Sequence, residues 1–86
     1  MRTKYNWDTK NCYKKDRRGS KTIACFSEGD TSLKIVEARD GYDMRIYEDG
    51  LPSLSKPLLH REAGTESQIL LAEDIYEAYK KVRDNG

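Results

Sequence analysis

The chain has 86 residues, of which 36% are apolar and 36% charged, with a formal net charge of +1 and a mean hydropathy of −0.94. That length holds one core rather than two, so residues 1–86 are expected to form a single domain with a lean interior under an ionic surface. No apolar run approaches the ~20 residues a membrane span needs. The opening MRTKYNWDTK lacks the apolar stretch of a secretory signal. The expectation is a cytoplasmic protein with no membrane partner.

The small net charge hides an asymmetry. Residues 1–22 carry eight basic and two acidic side chains, net +6, and residues 23–86 carry eight basic and thirteen acidic, net −5. A basic end on an acidic remainder is a hint about partners. Two cysteines, Cys12 and Cys25, do not make a disulfide framework, and two free thiols are expected. A four-residue turn over Arg17–Ser20 is the alternative, because it sets Cys12 opposite Cys25 on neighbouring strands.

In chain order, residues 1–12 mix Lys4, Tyr5, Trp7 and Lys10 and read equally as a loose arm or a short strand. Cys12–Lys15 can begin a strand that Arg17-Arg18-Gly19-Ser20 turns. Strand patterns follow over 21–28, 32–39 and 42–48, separated by Gly29-Asp30 and Asp40-Gly41, which suit type II′ and type I′ hairpin turns. With two-residue loops, Phe26 faces Leu33, Ala24 faces Ile35, Ile35 faces Ile46 and Glu37 faces Met44. One face then gathers Ala24, Phe26, Leu33, Ile35, Met44 and Ile46. The other shows Lys21, Ile23, Cys25, Lys34, Val36, Arg45 and Tyr47.

Asp49-Gly50 is a third turn signal. LPSLSKPLLH carries Pro52 and Pro57 and reads as a short edge strand or an extended connection. Residues 65–84 form the clearest element, a helix. Thr65 and Gln68 fit a capping box, and Leu71, Ile75, Ala78 and Val82, widened by Ala72 and Tyr79, fit an apolar stripe with Glu73, Glu77 and Lys80 opposite. The fold class expected is α+β, an antiparallel meander of three to four strands with one C-terminal amphipathic helix packed on one face.

Catalytic chemistry has little to build on. His60 is the single histidine, with Glu62 near it, and reads as a capping or surface residue rather than a general base. No phosphate loop or nucleophile elbow is present. Cys12, Cys25 and His60 lack zinc-site spacing, and the turn carboxylates lack calcium-loop spacing. No catalytic residue, metal, cofactor or small-molecule substrate is therefore expected.

Basic residues carry the functional signal. Lys14, Lys15, Arg17, Arg18 and Lys21 form a compact cationic stretch, and Lys34, Arg45 and Tyr47 share the sheet face that the helix leaves open. Lys and Arg neutralise phosphates, sheet residues can read a groove, and Tyr5, Trp7 or Tyr13 can stack on unpaired bases. Contact with DNA or RNA is the first expectation. The second is a protein partner on an apolar patch of Ile23, Val36, Tyr47 and Trp7 rimmed by charge. Tyr42–Gly50, YDMRIYEDG with Arg45 outward, loosely resembles the middle strand and turn of arm-type and AP2-like DNA-binding domains; Asp43 and an acidic helix flank depart from that pattern. In size and charge patches, and in lacking catalytic residues, the chain is also similar to stand-alone inhibitors and phage proteins that take over host proteins. That similarity implies a protein target in a host cytoplasm.

Overall fold

The computed structural model describes residues 3–10, 12 and 21–85. Strands β1 (Thr22–Glu28), β2 (Thr31–Glu37), β3 (Gly41–Glu48) and β4 (Leu51–His60) form one antiparallel sheet in the order β1-β2-β3-β4. A 3-10 turn, Arg61–Ala63, leads into helix α1 (Gly64–Asn85), which packs on one face. The α+β class and the meander-then-helix order are those expected from sequence. The fourth strand is the proline-bearing segment, and it runs for ten residues rather than as a short edge.

Turn chemistry sets two of the three registers. Glu28 pairs with Thr31 across Gly29-Asp30, where Gly29 has φ 61°. Glu48 pairs with Leu51 across Asp49-Gly50, with φ 53° and 81°, the two left-handed residues that a type I′ turn requires. The middle hairpin departs from expectation. Glu37 faces Tyr42, Ile35 faces Met44 and Leu33 faces Ile46, a shift of two residues. Gly41 is absent from the positive-φ residues because it serves another purpose. A Cβ there would lie 2.5 Å from the Leu59 carbonyl oxygen of β4, so Gly41 is needed for close approach rather than for a turn. The connection widens, closed by the Ala38 N–H donating to Gly41 O at 2.9 Å.

Residues beside a two-residue turn exchange hydrogen bonds, and the pattern then alternates along the strand. Counting from Glu48 and Leu51 through the irregularity near Tyr47, Leu54 and Lys56 turn their amides toward β3. Pro52 and Pro57 fall at positions whose missing N–H would have faced solvent. This is how an edge strand tolerates proline, and it blunts that edge against pairing with another chain.

The six apolar residues expected on one face are all buried there, against Ile69, Ala72 and Tyr76 of α1. The helix, however, is rotated about a third of a turn from the expected stripe. Its buried face is Gln68, Ile69, Ala72, Glu73 and Tyr76, flanked by Ile75 and Tyr79, while Ala78 is exposed and Val82 is 73% exposed. Nor is there a Thr65–Gln68 capping box. Helical turns begin at Arg61, where His60 Nδ1 accepts from the Glu62 N–H at 3.3 Å.

Gln68 instead faces the end of β4. Its Oε1 accepts from Leu59 N at 2.8 Å, and its Nε2 donates to Leu59 O at 3.0 Å and His60 O at 2.9 Å. An amide sealed from water must find such partners, and here they fasten the helix start to the edge strand. At the other end, Glu48 accepts from the Thr31 hydroxyl, from Tyr79 Oη at 2.8 Å and from Arg83 Nη1 at 3.0 Å.

Two predictions follow from these contacts. Tyr76→Ala, which empties a fully buried site, should cost about 3–5 kcal/mol in urea unfolding, whereas Val82→Ala should stay within about 0.5 kcal/mol. The reverse ranking would restore the stripe read from sequence. Hydrogen bonds from Thr31, Tyr79 and Arg83 hold the Glu48 carboxyl down to about 2 from its ordinary 4.5. Its stabilisation is complete above pH 4.5 and lost as pH falls toward 2. Burial, with Glu28 beside it, pushes the Tyr76 phenol up from 10.0 to about 12, so its neutral form is favoured in the fold and that contribution is lost as pH rises from 10 through 12. Glu48→Gln should flatten the acid limb of a stability-against-pH curve and leave the alkaline limb in place.

Candidate functional site

The sheet's two faces divide the expected site residues. On the helix side the N-terminal arm is docked, neither loose nor a strand. Glu73 is 2% exposed, and its Oε2 accepts from Lys4 N at 2.8 Å, Tyr5 N at 3.1 Å and Trp7 Nε1 at 2.8 Å. Sequence periodicity had placed Glu73 on the solvent side. It is buried because the arm brings three donors to it, satisfying a carboxylate that would otherwise be costly to desolvate.

Held this way, Tyr5 stacks on Phe26 at 4.7 Å between ring centroids, and Trp7 meets the same ring edge-on at 4.5 Å. The Tyr5 hydroxyl donates to Glu77 at 3.0 Å and accepts from Lys80 at 2.5 Å. Burial is the main reason the Tyr5 phenol is raised, and the Tyr5 hydrogen bond is the main reason the Lys80 ammonium is raised too. Both groups stay protonated at neutral pH, and the cluster latches the arm. Tyr5 and Trp7 are thereby committed to the core rather than presented for base stacking.

Beyond Trp7 the chain crosses the sheet edge. Asp8 and Cys25 exchange both backbone hydrogen bonds, at 2.8 and 3.0 Å. Cys12 then forms a disulfide with Cys25. The expectation of two free thiols is corrected: the Asp8–Cys25 pairing brings Cys12 close to β1, while the turn expected over Arg17–Ser20 lies outside the described residues. The thiols were misjudged because docking of the arm depends on Glu73, far away in sequence.

The open face consists of cross-strand rows. One runs Cys25, Lys34, Arg45, Ser55 across all four strands, about 14 Å at ordinary strand spacing. A second runs Ser27, Ser32, Tyr47, Pro52, with the two serine hydroxyls 3.2 Å apart. On the other side of the cationic row lie Val36, Asp43 and Pro57. Lys34 Nζ stands 5.3 Å from the Tyr47 ring centroid, a cation–π contact. The structure thus brings Lys34, Arg45 and Tyr47 together in the middle of the face, and Lys21 is exposed just ahead of β1.

Lys14, Lys15, Arg17, Arg18 and Tyr13 lie outside the described residues. The four residues of the apolar patch are not brought together. Val36 is 1% exposed, Ile23 is half-buried at the irregularity between Thr22 and Ala24, and Tyr47 stands across the cationic row from both. Trp7 is on the opposite side of the sheet. His60 is exposed and serves as the cap described above.

Among the described residues no group of three His, Cys, Asp or Glu side chains is placed to hold a metal ion, and no helix is long and apolar enough to cross a membrane. Comparison with protein-family models, curated proteins and solved structures found no match to this chain. Removing the latch should be visible in the single tryptophan. Glu73→Ala should red-shift Trp7 emission and lower stability by about 1–3 kcal/mol, and an unshifted spectrum would show that the arm docks without it.

Proposed function

We propose that this domain is a non-catalytic nucleic-acid-binding module whose contact surface is the open sheet face, centred on Lys34 and Arg45. The observation that carries this reading is their direct cross-strand pairing. Two cations side by side on one row offer adjacent donors to a phosphate. Tyr47 and the serine row supply an aromatic face and hydroxyl donors beside the two cations, the side-chain types that contact sugar, phosphate and base. Lys14, Lys15, Arg17, Arg18 and Lys21 add positive charge in the chain that enters β1. Affinity of this kind comes chiefly from phosphate neutralisation and is weakly sequence-selective.

The runner-up reading, a small protein-binding inhibitor or adaptor, draws less support from the geometry. Of its four residues, one is buried and one lies on the helix side.

Fluorescence anisotropy with short labelled duplex and single-stranded DNA tests the reading. Binding should weaken steeply with salt, and replacing Lys34 and Arg45 together by Glu should cut affinity at least tenfold. Replacing both by Gln instead should reduce the salt slope by about two. Full affinity in the double Glu variant would remove this surface from consideration. The Arg17→Glu, Arg18→Glu variant measures what the preceding segment adds.

A further inference from the structure

We infer that the domain forms a twofold symmetric dimer through a second apolar stripe on α1, independently of the nucleic-acid face proposed above. Leu71, Ile75, Ala78 and Val82 recur at spacings of four, three and four, the spacing by which one helix meets another along a seam. The fold turns a different face of the helix into the sheet, that of Gln68, Ile69, Ala72, Glu73 and Tyr76. The stripe stands about a third of a turn round from it. Ile75 packs partly on the core cluster, whereas Leu71 is half-buried, Ala78 is exposed and Val82 is 73% exposed.

The two flanks of α1 are treated differently. On one, the N-terminal arm bonds to Glu73, Glu77 and Lys80. The stripe lies on the other flank, on the side of Tyr79, whose hydroxyl meets Ser53 of β4 at 2.7 Å. It therefore looks out past the edge of β4. Among the described residues there is no second α-helix to cover it, so a matching stripe comes from another molecule.

A second copy matches it in size and in charge. Set antiparallel about a twofold axis between positions 75 and 78, Ile75 of each copy meets Ala78 of the other, and Leu71 meets Val82. Each layer then joins a larger side chain to a smaller one, which fills the seam. A parallel pair would set Ala78 against Ala78 and leave a gap. Asp74 and Lys81, both exposed, each stand one residue ahead of a seam position. The twofold axis brings Asp74 of each copy beside Lys81 of the other, so both flanks of the seam carry opposite charges. Antiparallel helices also bring opposite dipole ends together. The other common twofold contact, strand against strand at β4, is blunted by Pro52 and Pro57.

A seam of about two heptads is smaller than a standard permanent interface, so a dissociation constant of about 10–100 µM is expected. Sedimentation equilibrium of the full chain from about 5 to 500 µM tests this. The average mass should climb from 10.0 kDa toward twice that value. Val82→Glu, at an exposed position, should raise the dissociation constant about tenfold or more by setting a charge against Leu71. Asp74→Lys and Lys81→Asp should each weaken association about threefold or more, because like charges then meet. The two together should restore the original affinity, because each pair is re-formed with its signs exchanged. Circular dichroism establishes that each variant is folded, and the charge exchange decides the matter if Val82→Glu is not. A mass that stays at 10.0 kDa over the whole range overturns the dimer. Association untouched by a folded Val82→Glu overturns the stripe as its seat. A double exchange no tighter than the single ones overturns the antiparallel arrangement.

Discussion

A single carboxylate, that of Glu73, sets the course of the N-terminal arm. Sealed under the arm at the helix–sheet junction, it would be costly without donors, and its three donors all come from residues 4–7. Helix docking and arm docking are therefore one event: neither surface is satisfied without the other. The consequences run outward along the chain. Tyr5 and Trp7 close over Phe26, Asp8 arrives at the bare edge of β1, and Cys12 reaches Cys25. A lean domain of 86 residues gains by this arrangement, because the arm adds three aromatic contacts to a core that one helix covers only in part.

Both sheet edges are managed, by different means. The β1 edge is partly covered by the arm, while β4 lies open but carries proline where an incoming strand would need a donor. Polar side chains inside the helix interface do related work at the two ends of α1. Gln68 takes up the Leu59 and His60 backbone groups at the end of β4, and Glu48 draws together β2, β3 and the last turns of the helix. None of these groups is an orphan in the interior, which is the condition for a polar group to strengthen rather than weaken a small core.

How much of this was legible in the sequence depends on the range of the physics involved. Gly29-Asp30 and Asp49-Gly50 act through their own φ angles, so their hairpins can be read locally. Gly41 could not be read so, because its reason is a carbonyl on β4. The helix was recognisable from its length and polar–apolar alternation, but its orientation was not. A hydrophobic stripe of Leu71, Ile75, Ala78 and Val82 outscores one containing Gln68 and Glu73 until their partners are known. Phe26, Tyr76 and Tyr79, which mark the buried side by aromatic contact, were the available signal. The disulfide was hidden for the same reason as the orientation of Glu73: both depend on where the arm lies.

The open face survived the errors made around it, for a reason of parity. The middle hairpin is displaced by two residues from the expected register, and side chains on a strand alternate with period two. An even displacement changes which residues are opposite one another but leaves every side chain on its face. Lys34, Arg45 and Tyr47 thus stayed together although the partners were wrong. With the true register, Lys34 faces Arg45 directly and Tyr47 moves into the next row. What had been three residues on one face becomes a cationic pair with an aromatic neighbour, beside the one strand position that carries a covalent cross-link. A displacement of a single residue would have carried Arg45 into the core and Ile46 into solvent. The hydrophobic core thereby excludes the one kind of slip that would have erased the site.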